Sequence, residues 1–166
     1  MKDITWIQPY YHLILDRVPR DARTFLDIGA GNGIFGFILS KTRDCERLDA
    51  VEPFDYELNH FHNVYRMTWN EWFSKNSTTY DVIISTECIE HMEKKDALLF
   101  LDEVKVIAKN IVIATPIKFE EQKAYNGKDY QRPKSGIAES EFIESGYKTL
   151  LFNDSIIAHY GDLKWA

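Results

Sequence analysis

The strongest structural signal in this chain is the stretch Leu26-Asp27-Ile28-Gly29-Ala30-Gly31-Asn32-Gly33-Ile34-Phe35-Gly36. Apolar residues lead into an acid, three glycines follow at alternate positions, and a second apolar run begins directly after them. Glycine permits a sharp turn and leaves the backbone bare for the close approach of a ligand. The helix that follows presents unpaired N–H groups and a positive dipole end to the same place. The pattern predicts a strand, a ligand-binding turn and a helix in succession.

Length and composition set the broad class of the protein. A chain of 166 residues with 45% hydrophobic and 28% charged residues predicts one globular domain over residues 1–166. The net charge of −6 argues against capture of a nucleic-acid backbone, which requires a basic surface. No apolar run is long enough to span a bilayer, and no signal-peptide pattern is visible. The two cysteines, Cys45 and Cys88, are too few for a disulfide framework. We therefore expect a cytoplasmic protein that does not contact a membrane.

Strand and helix patterns alternate along the chain. An amphipathic helix is expected over residues 4–18, within an N-terminal segment 1–20. Apolar runs predict strands at residues 24–28, 47–52, 63–67, 80–85 and 111–115, with helices at 34–39 and 97–108 and a helical turn at 69–73. A further helix ends before Gly146, and residues 147–152 and 155–160 read as a hairpin. The pattern predicts a largely parallel sheet with a C-terminal antiparallel pair.

The stretch from Asp27 to Gly33 resembles the first motif of the class I S-adenosylmethionine-dependent methyltransferases, an acid-x-Gly-x-Gly-x-Gly element. The resemblance implies an α/β, Rossmann-like methyltransferase fold: a mostly parallel seven-stranded sheet with a C-terminal antiparallel hairpin and helices on both faces. The overlapping G-x-G-x-x-G pattern at residues 31–36 also matches a nicotinamide site. Asp27 disfavours that alternative because it would lie beside a pyrophosphate.

The resemblance also implies a set of residues that bind S-adenosylmethionine. Asp27, Gly29, Ala30, Gly31 and Gly33 would border its methionine and ribose portions. Glu52 ends the second strand 19 residues after Gly33, where a carboxylate can accept hydrogen bonds from both ribose hydroxyls.

The adenine side of the expected site is less clearly marked. Pro53 and Phe54 follow the ribose acid, and Phe54 is expected to pack on the adenine. Asn70 is the candidate for the adenine edge, with Thr68 or Trp69 close by. Trp72 and Phe73 are expected to fill the core instead, as large aromatic residues usually do.

The segment after the fourth strand resembles the Glu-x-x-Glu-His signature of small-molecule methyltransferases. Thr86 and Glu87 would then border the cofactor, and His91 would face the substrate as a candidate catalytic base or as a structural histidine. Glu87, Glu90 and His91 also form a weak candidate metal site, because carboxylate and imidazole ligands at this spacing share one helical face.

The sequence indicates the acceptor less clearly than the cofactor. Residues 117–136 follow the fifth strand, where the family often places a substrate lid, and they include Tyr125, Tyr130 and Arg132. A solvated loop without a role in binding is the alternative for this segment. In the first helix, Tyr10, Tyr11 and His12 are candidates to close over the cofactor, and ordinary packing of these side chains is the alternative. We expect a small-molecule methyl acceptor. The alternatives are a metal-assisted RNA ribose methyltransferase, a non-catalytic methyltransferase-like binding module and a nicotinamide enzyme. The sequence does not indicate the oligomeric state.

Overall fold

The computed structural model describes residues 8–119 and 132–162. Its framework is a seven-stranded sheet with the strand order β3-β2-β1-β4-β5-β7-β6. The strands are β1 (Thr24–Ile28), β2 (Arg47–Val51), β3 (Asn63–Tyr65), β4 (Tyr80–Thr86), β5 (Ala108–Pro116), β6 (Lys148–Phe152) and β7 (Ser155–Tyr160). The helices are α1 (Tyr11–Arg17), α2 (Ile34–Thr42), α3 (Trp69–Phe73), α4 (Lys94–Ile107) and α5 (Glu139–Glu144), with a short 3₁₀ helix at Ile89–His91.

The first five strands are parallel, and β7 and β6 complete the sheet as an antiparallel pair beside β5. The fold class predicted from the sequence is therefore confirmed. Successive side chains of a strand point to opposite faces of a sheet. Accordingly, Leu26 and Ile28 of β1 belong to the core layer that contains α4, whereas Phe25 belongs to the layer that contains α1 and α2.

Several predicted helix boundaries were wrong by a few residues. In the described part of the N-terminal segment, residues 8–10 form a turn and α1 begins only at Tyr11. Pro9 accounts for the late start, because proline disfavours helical geometry in the residue before it; residues 4–7 lie outside the described part. Helix α4 begins at Lys94, three residues earlier than expected, because Glu93 already accepts the first helical hydrogen bond, from the N–H of Ala97.

The strand order reverses between β1 and β4. From β1 the chain crosses to β2 and β3 on one side, and it then returns to β4 and β5 on the other. Ligands of open parallel sheets bind outside the carboxyl ends of the strands at such a reversal. The turn after β1 and the segment after β4 both lie at this point.

No helix in residues 8–119 and 132–162 has both the length and the apolar character that a membrane crossing requires.

Candidate active site

A cleft of about 390 Å³ lies at the carboxyl edge of the sheet. Three parts of the chain supply most of its wall: the glycine turn after β1, the loop after β2, and the segment from the end of β4 into α4. The lining includes the predicted site residues Gly29, Gly31, Glu52, Pro53, Phe54, Asn70, Glu87 and His91. The fold thus brings predicted site residues to one cleft although they lie up to 62 positions apart in the sequence, from Gly29 to His91.

The glycine turn depends on glycine for two different reasons. At Gly29, φ is +73°, and an added Cβ would lie 2.5 Å from Sγ of Cys88. At Gly31, φ is +51°, and an added Cβ would meet only the carbonyl oxygen of Gly29, at 3.9 Å. Gly29 is therefore required for packing within the protein, whereas Gly31 leaves its space to the cleft.

Glu52 joins the glycine turn to the loop after β2. One carboxylate oxygen accepts the backbone N–H of Gly31 at 2.8 Å, and the other accepts that of Phe54 at 3.0 Å. Burial raises the pKa of Glu52, whereas these two hydrogen bonds and the charge of Arg66 oppose the rise. A carboxylate oxygen has more than one acceptor position, so both oxygens can still receive hydroxyl donors from the cleft.

Asp27 lies behind the glycine turn and is 3% exposed. Burial and the charge of Glu52 raise its pKa to about 8. Its Oδ2 has no hydrogen-bond partner in residues 8–119 and 132–162. The raised pKa favours the protonated form of Asp27, which is not among the residues that line the cleft.

Three other predicted cofactor positions also lie behind the wall of the cleft rather than on it. Ala30 is buried with Ala50 and Leu58, and a Cβ at Gly33 would lie 2.7 Å from Leu58. Thr86 ends β4 and is 9% exposed. These residues shape the turn and the strand end on which the lining residues are carried.

The far side of the cleft combines aromatic and polar groups. Pro53, Phe54 and Tyr56 line it from the loop after β2, and Thr68, Trp69 and Asn70 line it from the start of α3. Trp69 also belongs to the core: its ring stacks on Trp72 and Phe73, and its Nε1 donates to Glu103 at 2.6 Å. The expectation that Trp72 and Phe73 fill the core is confirmed.

Glu87 follows β4 in an unusual backbone conformation. Its φ is +51°, which is uncommon for a residue with a side chain and is often associated with functional sites. Its Oε1 accepts the hydroxyl of Tyr10 at 2.6 Å. Burial raises the pKa of Glu87, and this hydrogen bond opposes the rise. Tyr10 and Tyr11 are both buried, so the N-terminal turn covers the ends of β1 and β4.

Glu90 and His91 have separate structural partners. Oε2 of Glu90 accepts the hydroxyl of Thr115 at 2.9 Å, and burial raises its pKa. Burial lowers the pKa of His91, and its imidazole donates a hydrogen bond to the backbone carbonyl of Arg132. Its Nδ1 is buried and has no hydrogen-bond partner in the described ranges, so the neutral ring retains a lone pair there.

The weak metal-site prediction fails on the same geometry. Among residues 8–119 and 132–162, no three His, Cys, Asp or Glu side chains come close enough together to hold a metal ion. Glu87, Glu90 and His91 are therefore not arranged as a ligand set.

The segment between β5 and α5 reaches the cleft in its last part, which the structure describes from residue 132 onward. The backbone N–H groups of Lys134 and Ser135 donate to the carbonyl of Glu90, at 2.7 and 3.1 Å, and Lys134 lines the cleft. Of the expected lid, residues 120–131 lie outside the described part, and so do Tyr125 and Tyr130.

Sequence reasoning missed eight lining residues, which are Ile28, Val51, Tyr56, Cys88, Met92, Glu93, Asp96 and Lys134. The early start of α4 explains two of them, because the first turn of the helix carries Asp96 and its N-cap is Glu93. The polar segment before α5 was the only sequence signal for Lys134.

Comparison with known proteins agrees with this geometry. The profile of the family described as "Methyltransferase domain" matches residues 6–151. The chain belongs to this methyltransferase family. It is a class I S-adenosylmethionine-dependent methyltransferase, and S-adenosylmethionine is its cofactor, so the alternative of a nicotinamide enzyme was wrong. No curated protein matches the chain by sequence.

Solved structures share the fold of this methyltransferase at low sequence identity. The DhpI–SAH complex has a TM-score of 0.65 at 14% identity, over 89% of this chain and 80% of that one. A SAM-dependent methyltransferase from Aquifex aeolicus has a TM-score of 0.57 at 18% identity, over 89% and 87% of the two chains. The small RNA methyltransferase HEN1 has a TM-score of 0.64 at 15% identity, over 93% of this chain and 25% of that one.

Proposed function

We propose that this methyltransferase transfers the methyl group of S-adenosylmethionine to a small-molecule acceptor. The observation that carries the proposal is that the bare backbone of Gly31 and the carboxylate of Glu52 share one cleft with Glu87 and His91. The cofactor, when bound, supplies a methyl group on a sulfonium centre, which is a good leaving group. The protein must then align the acceptor and exclude water.

The residues of the glycine turn suit the sugar end of the cofactor. Gly31 offers a surface without a side chain, and Glu52 offers two carboxylate oxygens that are already held in place by backbone N–H groups. A fixed carboxylate can accept two ribose hydroxyls in a bidentate, charge-assisted arrangement. Pro53, Phe54 and Asn70 would border the adenine, and Glu87 would border the methyl side.

The charge of the cleft favours a small acceptor over RNA. Among the described residues, four carboxyl groups line it, from Glu52, Glu87, Glu93 and Asp96, and one lysine, Lys134. Lys134 is itself paired with Glu93 at 3.4 Å. A phosphate backbone is held by clusters of cationic side chains, and these acids would repel it.

Two side chains of the cleft are candidates for the proton that a hydroxyl or amine acceptor releases on methylation. Glu87 lines the cleft beside Tyr10, and His91 is neutral because burial lowers its pKa. His91 has one nitrogen bonded to Arg132, and its Nδ1 is shielded from solvent. Its predicted catalytic role therefore requires the ring to turn, whereas Glu87 needs no such movement.

The experiment that tests the proposal has a binding arm and a transfer arm. Calorimetry with S-adenosylhomocysteine should give saturable binding that Gly31→Val and Glu52→Ala each weaken. Labelled S-adenosylmethionine should then be incubated with a metabolite extract and with total RNA, each with and without a chelator. Label in small molecules supports the proposal. Label in RNA that a chelator abolishes would favour the ribose methyltransferase instead, and binding without transfer to any acceptor would favour a non-catalytic module.

A further inference from the structure

The wall that faces the ribose and adenine side of the cleft is a loop without regular secondary structure. Residues 52–62 connect β2 to β3, all of them are described, and none lies in a helix or a strand. This loop supplies Glu52, Pro53, Phe54 and Tyr56 to the cleft. Loops are more mobile than the elements they connect, so a binding wall made from one needs a device that fixes its shape.

Arg66 provides contacts of that kind. It directly follows β3, and its guanidinium group donates to the backbone carbonyls of Phe54 and of Tyr56, the latter at 2.6 Å. The backbone on which Arg66 is carried is tied to the sheet, because Tyr65 pairs with Val51 and its carbonyl accepts the N–H of Glu52. One side chain therefore links the loop to the edge of the sheet at two points.

The charge of Arg66 acts on the same wall. It lowers the pKa of Glu52 and so opposes the effect of burial on that carboxyl group. The other titratable groups that interact with Glu52 are Asp27 in β1 and Cys88 after β4. Arg66 is the cation of this set, and it helps to keep Glu52 in the ionised form that accepts hydroxyl donors.

We propose that Arg66 is a positioning residue that holds the loop after β2 in the shape that binds the ribose and adenine of the cofactor. This inference rests on the proposed function of the cleft. Arg66 is not a catalytic residue, because it is not among the residues that line the cleft and acts through Phe54, Tyr56 and Glu52.

The two-carbonyl bridge requires arginine rather than a positive charge alone. A guanidinium group is planar and presents several N–H donors in a fixed fork, whereas a lysine ammonium is a compact point charge on a flexible stem. Arg66→Lys therefore keeps the charge near Glu52 but loses the bridge, and Arg66→Met loses both. Arg47→Met is the matched control, since Arg47 is exposed at the opposite end of β2.

The test measures binding of S-adenosylhomocysteine and of adenosine to the full chain by calorimetry. We expect Arg66→Met to weaken both ligands by about tenfold or more, which is the loss expected for hydrogen bonds made by a charged group. We expect Arg66→Lys to recover only part of the loss and Arg47→Met to bind like the parent protein. Arg66→Met should also lose some stability with these two hydrogen bonds, so binding is measured at a temperature at which circular dichroism shows every variant to be folded.

The pH dependence separates the two contributions of Arg66. Loss of the positive charge raises the pKa of Glu52, so the affinity of Arg66→Met should fall at a higher pH on the acid side than that of the parent or of Arg66→Lys. Full affinity in Arg66→Lys at neutral pH, or an equal loss in Arg47→Met, would overturn the inference alone. A parent protein that does not bind S-adenosylhomocysteine would instead overturn the proposed function, and the inference with it.

Discussion

The two sides of the cleft are built in different ways. The side after β1 and β2 consists mainly of backbone, with Gly29 and Gly31 in left-handed conformations and Glu52 held by two backbone N–H groups. The side after β4 consists of side chains that bond to distant parts of the chain, as Glu87 does with Tyr10 and His91 with Arg132.

The difference corresponds to the proposed roles of the two sides, with the cofactor on the first and the acceptor on the second. A cofactor that is common to a whole family can be bound by a fixed backbone shape, whereas an acceptor that varies between members needs side chains that can vary. Local backbone requirements leave a pattern of glycines and acids in the sequence. Contacts between distant side chains leave no such pattern, and this is why the cofactor side is easier to predict.

The first prediction compares the two glycines of the backbone-built side and has the largest expected effect on the fold. Gly29→Ala should destabilise the protein by about 3 kcal/mol, from the unfavourable positive φ and from overpacking against Cys88. Gly31→Ala meets no close neighbour and should cost about 1 kcal/mol of stability, from its positive φ alone. Urea unfolding of both variants gives the two free energies.

Ligand binding completes this comparison. Gly31→Ala should remain folded yet bind S-adenosylhomocysteine more weakly than the parent, because its methyl group enters the cleft. If the two glycine variants were equally stable, the distinction between packing at Gly29 and open space at Gly31 would be wrong.

The sequence predicts the backbone-built side of the cleft better than the side that is built from side chains. The strand and turn around Gly29 and the first residue of α2 were predicted where they occur, although α2 continues to Thr42. Glu52 was predicted as the last residue of the second strand and directly follows β2, because glycine geometry and strand ends are local properties. The proline that delays α1 was visible in the sequence but was outweighed by the apolar period of residues 4–18. The bond from Tyr10 to Glu87 joins residues 77 positions apart, and no local pattern predicts it.

The second prediction concerns the carboxylate that joins the glycine turn to the loop. Glu52→Gln should reduce the affinity for S-adenosylhomocysteine by about 30-fold, because an amide presents one acceptor oxygen where the carboxylate presents two charged ones. Glu57→Gln is a suitable control, since Glu57 is an exposed acid of the same loop. Calorimetry at one pH and salt concentration measures both variants. Equal affinities in the two variants would contradict the ribose-binding role of Glu52.

The third prediction uses the raised pKa of Asp27. Its native pKa of about 8 lies above the ordinary value of 3.8, so the native state binds one more proton than the unfolded state between these values. The stability from this group is therefore complete below about pH 4 and is lost as the pH rises through about 8. Asp27→Asn removes the titration, so its free energy of unfolding should increasingly exceed that of the parent as the pH rises from about 4 to about 8.

The pH dependence of the stability difference between the parent and Asp27→Asn serves as the control for this prediction. Urea unfolding of the parent and of Asp27→Asn at several values between pH 4 and pH 8 should show a difference that grows with pH. A difference that stays constant, or that shrinks with rising pH, would mean that Asp27 is ionised in the native protein.

The smallest expected effect lies on the side of the cleft that is built from side chains. Tyr10→Phe removes one hydrogen bond to Glu87 and should cost about 1 kcal/mol of stability, measured by urea unfolding.

Because that bond lowers the pKa of Glu87, its removal should raise this pKa, which a titration monitored by NMR of the Glu87 carboxyl carbon can follow. Tyr11→Phe provides the matched control, since Tyr11 is a buried neighbour whose hydroxyl is hydrogen-bonded to Thr86 rather than to Glu87. Affinity for S-adenosylhomocysteine should change far less in Tyr10→Phe than in Glu52→Gln. A loss as large as that of Glu52→Gln would show that the N-terminal turn belongs with the cofactor side, and the division between the two sides would have to be redrawn.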